Sequence, residues 1–193
     1  IYTLSLHDAL PISIHAVTRL IRAVIHSGAL RANLAAVRRF APRSRILAVV
    51  KANAYGHGLV PAALALADAD AFAVARLEEG MALRSAGVRT PIVLLEGVFN
   101  AAQLEEAAHH DFELVVHIPE QVALLAAWRG AHRFGVWIKI DSGMNRLGFR
   151  PEEFAAIHAQ LAGCAAVAPH MRLLTHLANA DVPDDPATSE QNE

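Results

Sequence analysis

The chain has 193 residues, 54% of them hydrophobic and 19% charged, so it can build a sizeable core and is not generally disordered. Its net charge is −2 with no basic stripe, which argues against nucleic acid and anionic membrane as partners. The single cysteine, Cys164, excludes an internal disulfide and a thiolate metal cluster and suits a reducing compartment. No apolar run approaches the roughly 18 residues of a membrane span.

Residues 1–23 show no clear hydrophobic period, and the first thirteen lack the basic start and clean apolar stretch of a signal peptide. They read as an arm foreign to the domain and are left out of the fold argument. From residue 24 onward the pattern is regular. Leu30, Leu34, Val37 and Ala41 recur at helical spacing, and Pro42 ends that helix.

A strand-then-helix rhythm follows. Strands are predicted over 46–50, 71–75, 91–95, 113–117, 136–140 and 171–175. Helices are predicted between them over 59–67, 77–85, 101–109, 119–128 and 151–162. Gly87 should close the second of these helices, and Pro119 should open the fourth. Such alternation makes parallel βαβ units, and two architectures compete: a (β/α)₈ barrel and an open doubly wound sheet. The pattern alone does not choose. The Gly-x-Gly-x-x-Gly turn of the doubly wound sheet is absent, and Lys51, Lys139 and His176 fall at the ends of different strands, which is the barrel habit. The expectation is an incomplete barrel of about six βα units, with the chain interrupted after Asp181-Val182-Pro183-Asp184-Asp185-Pro186.

Three stretches carry chemistry. In the first, the apolar run 46–50 ends on Lys51, followed by Ala52-Asn53-Ala54-Tyr55-Gly56-His57-Gly58. Lysine is among the residues least often buried, and a lone strand-end lysine more often snorkels to water than reacts. A lysine partly withdrawn from water can instead form a Schiff base with an aldehyde such as pyridoxal phosphate. Tyr55 adds a phenol, the glycines allow close backbone approach, and a helix beginning near Gly58 would offer N–H groups to a phosphate. His57 reads as loop architecture.

The second stretch is Trp137-Ile138-Lys139-Ile140-Asp141-Ser142-Gly143-Met144-Asn145-Arg146-Leu147-Gly148-Phe149. In isolation it reads as a surface lysine and a loop arginine paired with Asp141 or Glu152. At the same barrel mouth as Lys51 it reads as an anion site, since an arginine fork suits a carboxylate or a phenolate. The third is Leu174-Thr175-His176-Leu177-Ala178-Asn179-Ala180-Asp181, where His176 alone would be a structural histidine. The eleven histidines include no His-Glu-x-x-His, and His109 and His110 should point apart on their helix, so no metal is expected.

The first stretch closely resembles the cofactor-lysine signature of the alanine racemases, and the second is similar to another signature of that family. The likeness runs from about residue 24 to 193 and departs at His26 and Ser27. It implies a pyridoxal-phosphate barrel followed, in the family, by a β-rich domain that this chain lacks. It implies that Lys51 carries the cofactor and acts as a base on the D-enantiomer side. It also implies that Tyr55 meets the cofactor phosphate and that Arg146 contacts the cofactor phenolate and the substrate carboxylate. Lys139 would carry a carbamate that holds Arg146. His176 would orient an arginine from a later strand. The second base would be a tyrosine from the partner subunit of a homodimer. The implied activity is interconversion of L- and D-alanine, supplying D-alanine for peptidoglycan in the cytoplasm, with this piece inactive alone. A pyridoxal-phosphate carrier with a similar barrel, or a remnant without function, stands as the alternative. The carrier would lack the Lys139–Arg146 stretch in this form.

Overall fold

The computed structural model describes residues 23–182 and 184–192. The arm assigned to residues 1–23 therefore lies, but for Ala23, outside the described residues.

The predicted strands and helices appear in order, with two further short helical elements over 51–55 and 187–190 that were not expected. Helix α1 (Ser27–Phe40) leads to β1 (Leu47–Val49), a short turn α2 (Lys51–Tyr55), and α3 (Leu59–Ala65). Then come β2 (Ala71–Val74), α4 (Leu77–Ser85), β3 (Ile92–Leu94), α5 (Ala101–His109), β4 (Phe112–Val116) and α6 (Pro119–Ala127). The chain continues through β5 (Val136–Lys139), a 3₁₀ turn (Pro151–Glu153), α7 (Phe154–Ala162), β6 (Arg172–Leu174) and α8 (Ala187–Glu190).

The six strands among the described residues are all parallel and lie in sequential order, β1 to β6, from one edge to the other. A doubly wound sheet reverses its order at a switch point and carries helices on both faces. Here the order never reverses. On one face Phe72, Val74, Ile92, Leu94, Phe112, Leu114 and Ile138 merge into a large core with helix residues such as Leu34, Leu83, Leu104, Leu125 and Leu161. The other face makes a small separate cluster from strands and their ends alone: Ala73, Val93 and Val115 with Leu47, Leu95, Trp137 and Leu174. Among the described residues helices cover the outside only, and the second cluster is the inner face of a partial (β/α)₈ barrel.

The outer layer packs tightly. Gly80 of α4 faces the Phe112 ring so closely that a Cβ there would lie 2.8 Å from it, and Phe112 is fully buried. Burying such a ring is worth about 1.5–3 kcal/mol. Arg84 ties α4 to two neighbouring strands. Its guanidinium donates to the carbonyls of Val88 and Thr90 before β3 (3.0 and 2.8 Å) and to those of His110 and Asp111 before β4 (2.9 and 3.2 Å). At the N-terminal end of the inner face, Glu113 accepts from Trp137 Nε1 at 2.6 Å and pairs with Arg172 at 3.3 Å.

Local signals in the sequence act as expected at several ends. Asn100 caps α5 by accepting from Gln103 N at 2.9 Å, Pro119 occupies the first turn of α6, and Gly87 is left-handed just past α4. Two expectations need correction. The helix predicted over 151–162 begins as a 3₁₀ turn, with Glu153 reaching back to Arg150 N at 2.7 Å before α7 starts. His109 and His110 do not point apart: His110 lies just past the end of α5, and the two rings meet edge-on with centroids 4.9 Å apart.

Candidate active site

Each strand of the sheet delivers its last residue to the same end, so chemistry placed at strand ends gathers at one mouth. Lys51 follows β1, Lys139 ends β5, and His176 lies just beyond β6. These three, together with Tyr55 and Arg146, line one cavity of about 470 Å³ at the C-terminal end of the barrel. All five residues singled out from the sequence are thus brought together. Among the described lining residues Glu96 is the one acid, and it was not foreseen.

Lys51 is half-buried at the point where the backbone changes hand. Val50 N still donates to Ala73 O of β2 at 2.8 Å, so β1 is anchored up to the residue before the lysine. Then Ala52, Asn53, Ala54 and Tyr55 all take left-handed angles, with φ of 53°, 56°, 52° and 54°, before Gly56 at 85°. An L-residue in this region costs about 1–2 kcal/mol, and runs of them are rare. The turn is held by its hydrogen bonds. Asn53 Oδ1 accepts from Leu59 N at 2.8 Å, Asn53 O from Gly58 N at 3.0 Å, and Ala54 N donates to Val50 O at 2.8 Å. His57 Nδ1 lies 2.8 Å from Ala54 O. From α4, Glu79 Oε1 accepts from Asn53 N at 3.3 Å, while its Oε2 takes Ala75 N and Arg76 N at 3.0 and 3.2 Å. The result lifts Tyr55 to the rim of the cavity, 61% exposed. Of the N–H groups expected to face a phosphate at the start of α3, that of Leu59 is already taken by Asn53 Oδ1.

Arg146 sits on a loop closed at its base. Phe149 N donates to Lys139 O at 2.9 Å and Asp141 N to Phe149 O at 2.8 Å. Gly148 makes the close crossing, with φ of 130°, and a Cβ there would lie 2.6 Å from Asp141 N. Inside the loop the Asp141 carboxylate accepts from Gly143 N and Asn145 N at 3.1 and 2.9 Å. Burial alone would raise the Asp141 pKa. The backbone N–H groups of Asn145, Gly143, Arg146 and Met144 outweigh it and hold the carboxyl below its ordinary value. Asp141 therefore serves the loop backbone and is not a salt-bridge partner of Arg146, which forms no ion pair among the described residues.

The mouth is rich in positive charge. Lys139 is 6% exposed, and its pKa is lowered first by burial, then by Arg146 and Lys51, against an opposing pull from Asp141. His176 is lowered by burial and by the charges of Arg146, Lys139 and Lys51. Such a cavity favours anionic ligands. Gln191 fixes the backbone around His176, donating to His176 O at 3.0 Å and accepting from Ala178 N at 2.8 Å. His117, at the end of β4, is buried beside the mouth with Nε2 3.1 Å from Glu96 O and its Nδ1 unpartnered. The sequence offers little to find Gln191 or His117, whose roles depend on contacts between separate units.

Comparison with known proteins bears on this arrangement. Residues 25–193 match the family described as alanine racemase, N-terminal domain. The chain is 49% identical over 170 residues to an alanine racemase of Shewanella loihica, covering 88% of this chain and 48% of that protein. It is 49% identical over 168 residues to a biosynthetic alanine racemase of Salmonella typhimurium, covering 87% and 47%. Among solved structures, the biosynthetic alanine racemase of Pseudomonas aeruginosa superposes with a TM-score of 0.80 at 42% identity, covering 85% of this chain and 46% of that one. An alanine racemase of Bacillus anthracis with bound L-Ala-P gives 0.76 at 32% identity, covering 86% and 44%. The chain spans about half the length of the curated relatives it matches.

Proposed function

The chain belongs to the alanine racemase family through its N-terminal domain, and from that premise we propose that it forms the pyridoxal-phosphate-binding part of an enzyme interconverting L- and D-alanine. The observation that carries this reading is the convergence of Lys51, Tyr55, Lys139, Arg146 and His176 on one cavity.

The residues fit an anionic aldehyde. An amine stands half-buried at the strand end, a phenol reaches the rim, and the surrounding charge is positive. Pyridoxal phosphate, when bound, would supply an electron-withdrawing ring that accepts charge from the α-carbon of an amino acid. Lys51 would be the nucleophile toward the aldehyde and, once released, the base that moves the α-proton on the D-enantiomer side. Tyr55 would hydrogen-bond the cofactor phosphate. Arg146 would hold the cofactor phenolate and the substrate carboxylate by its fork. His176 would orient a positively charged partner of the cofactor ring.

Lys139 would act differently. Its burial and the nearby Arg146 charge favour the neutral amine, which can add carbon dioxide and release a proton to give a carbamate. That change would turn a cation into an anion facing Arg146 and hold the guanidinium in place. Electron density showing a bare ammonium at Lys139 rejects this.

Racemisation needs a proton carrier on each face of the substrate. Lys51 is assigned to one face, and the other is assigned to a tyrosine of a partner subunit in a homodimer. This polypeptide has two tyrosines, of which Tyr55 is assigned to the cofactor phosphate and Tyr2 lies outside the matched residues, so by itself it should bind cofactor without racemising alanine. Measured turnover of L-alanine by this polypeptide would overturn that assignment. The direct test of the whole reading is borohydride reduction in the presence of pyridoxal phosphate. The expected result is a covalent label on the Lys51 peptide that disappears in Lys51→Ala. A label elsewhere, or none, refutes it.

A further inference from the structure

The reactive amine hangs from a turn that an L-polypeptide does not adopt unaided, so something must hold it. Hydrogen bonds inside the turn tie it to its own strand and to α3, but one contact comes from a different βα unit. Glu79, in the first turn of α4, is half-buried and uses both carboxylate oxygens. Oε2 accepts from Ala75 N and Arg76 N, which fixes the carboxylate at the exit of β2. Oε1 is then left to face Asn53 N, 26 residues earlier, inside the left-handed run.

From this we propose that Glu79 is a positioning residue for the active-site mouth: it clamps the left-handed turn to the end of β2 and so sets the directions of Lys51 and Tyr55. The inference rests on the reading of Lys51 as the cofactor amine only for its chemical consequence. The clamp itself is a property of the chain without any ligand. Its chemistry is specific. A carboxylate can accept at both oxygens together, whereas a carboxamide has one acceptor and would turn an N–H toward either Asn53 N or the β2 exit. A glycine at position 52 would lower the cost of the left-handed backbone and lessen the need for the clamp.

The experiment compares the full chain with Glu79→Gln and with Glu79→Gln combined with Ala52→Gly. Hydrogen exchange is read on peptides spanning the turn and spanning β3. Lys51 labelling by pyridoxal phosphate and borohydride is followed in time. For Glu79→Gln we expect exchange in the turn to accelerate about tenfold while β3 stays protected, and the labelling rate to fall by about the same factor. Adding Ala52→Gly should restore most of the labelling rate while leaving the β2 exit amides exposed. An unchanged turn in Glu79→Gln overturns the proposal. So does loss of protection in β3 to the same extent, which would make Glu79 a general support of the fold. A labelling rate that falls but is not recovered by Ala52→Gly also overturns it. If the unmutated chain is never labelled at Lys51, the cofactor reading fails, and the exchange contrast between turn and β3 still decides the clamp.

Discussion

At the scale of single residues, the informative anomalies were charges at the ends of apolar runs. Lys51 follows the apolar run 46–50 and Lys139 ends β5, and such a placement is visible without coordinates. Asp141 was visible too, but its role was not. It could be read as a partner for Arg146, yet its carboxylate is occupied by the backbone of the loop that carries Arg146. This leads to a pH prediction. A carboxyl whose pKa is lowered in the folded chain contributes stability that is fully present above its ordinary value of 3.8 and is lost as pH falls through the folded value. Asp141→Asn should therefore lower stability at pH 7 by about 1 kcal/mol, in keeping with net hydrogen-bond strengths. The gap from the unmutated chain should narrow below pH 4 in urea titrations. A gap that stays constant with pH would contradict the role given to the carboxylate.

At the scale of elements, order and type were legible throughout the described strands, because hydrophobic runs of strand length alternate with helical spacing. Boundaries were less so. The fourth strand runs Phe112–Val116 and not 113–117, since a strand buried on both faces has no polar alternation to fix its start. The left-handed turn after Lys51 was not legible at all. Its four residues before Gly56 are ordinary L-residues, and what stabilises them includes a contact from the next βα unit. The Arg146 loop shows the opposite case, where a glycine marks the geometry. Gly148→Ala would place a Cβ 2.6 Å from Asp141 N and 2.9 Å from Ile140 C at a φ of 130°. Backbone on both sides leaves no flexible group to yield. The expected loss is about 1–3 kcal/mol in chemical denaturation, the range of strain at a special backbone position. The same variant should still be labelled at Lys51 by pyridoxal phosphate, because that amine is carried by a different segment, after β1. An alanine tolerated at no cost would mean that the loop closes differently.

At the scale of the whole molecule, the sheet ends in two parallel edges, β1 and β6, with no strand beyond either among the described residues. Leu173 of β6 is 59% exposed. A free, apolar edge is a template for pairing with other chains. The isolated polypeptide is expected to self-associate, and Leu173→Lys should reduce that association in light-scattering measurements without lowering the unfolding midpoint. Association unaffected by the added charge would place the sticky surface elsewhere. Whether the sheet was a barrel or doubly wound could not be decided from spacing, because both use the same βα units. The strand order and the helix-free inner face decided it.

That uninterrupted strand order also bears on how the molecule comes into being. Every strand pairs with the one made just before it, so no segment has to wait for a distant stretch of chain to be synthesised. A nascent polypeptide could add one unit after another as it leaves the ribosome. Stalled chains of increasing length should gain protease resistance in steps of one βα unit.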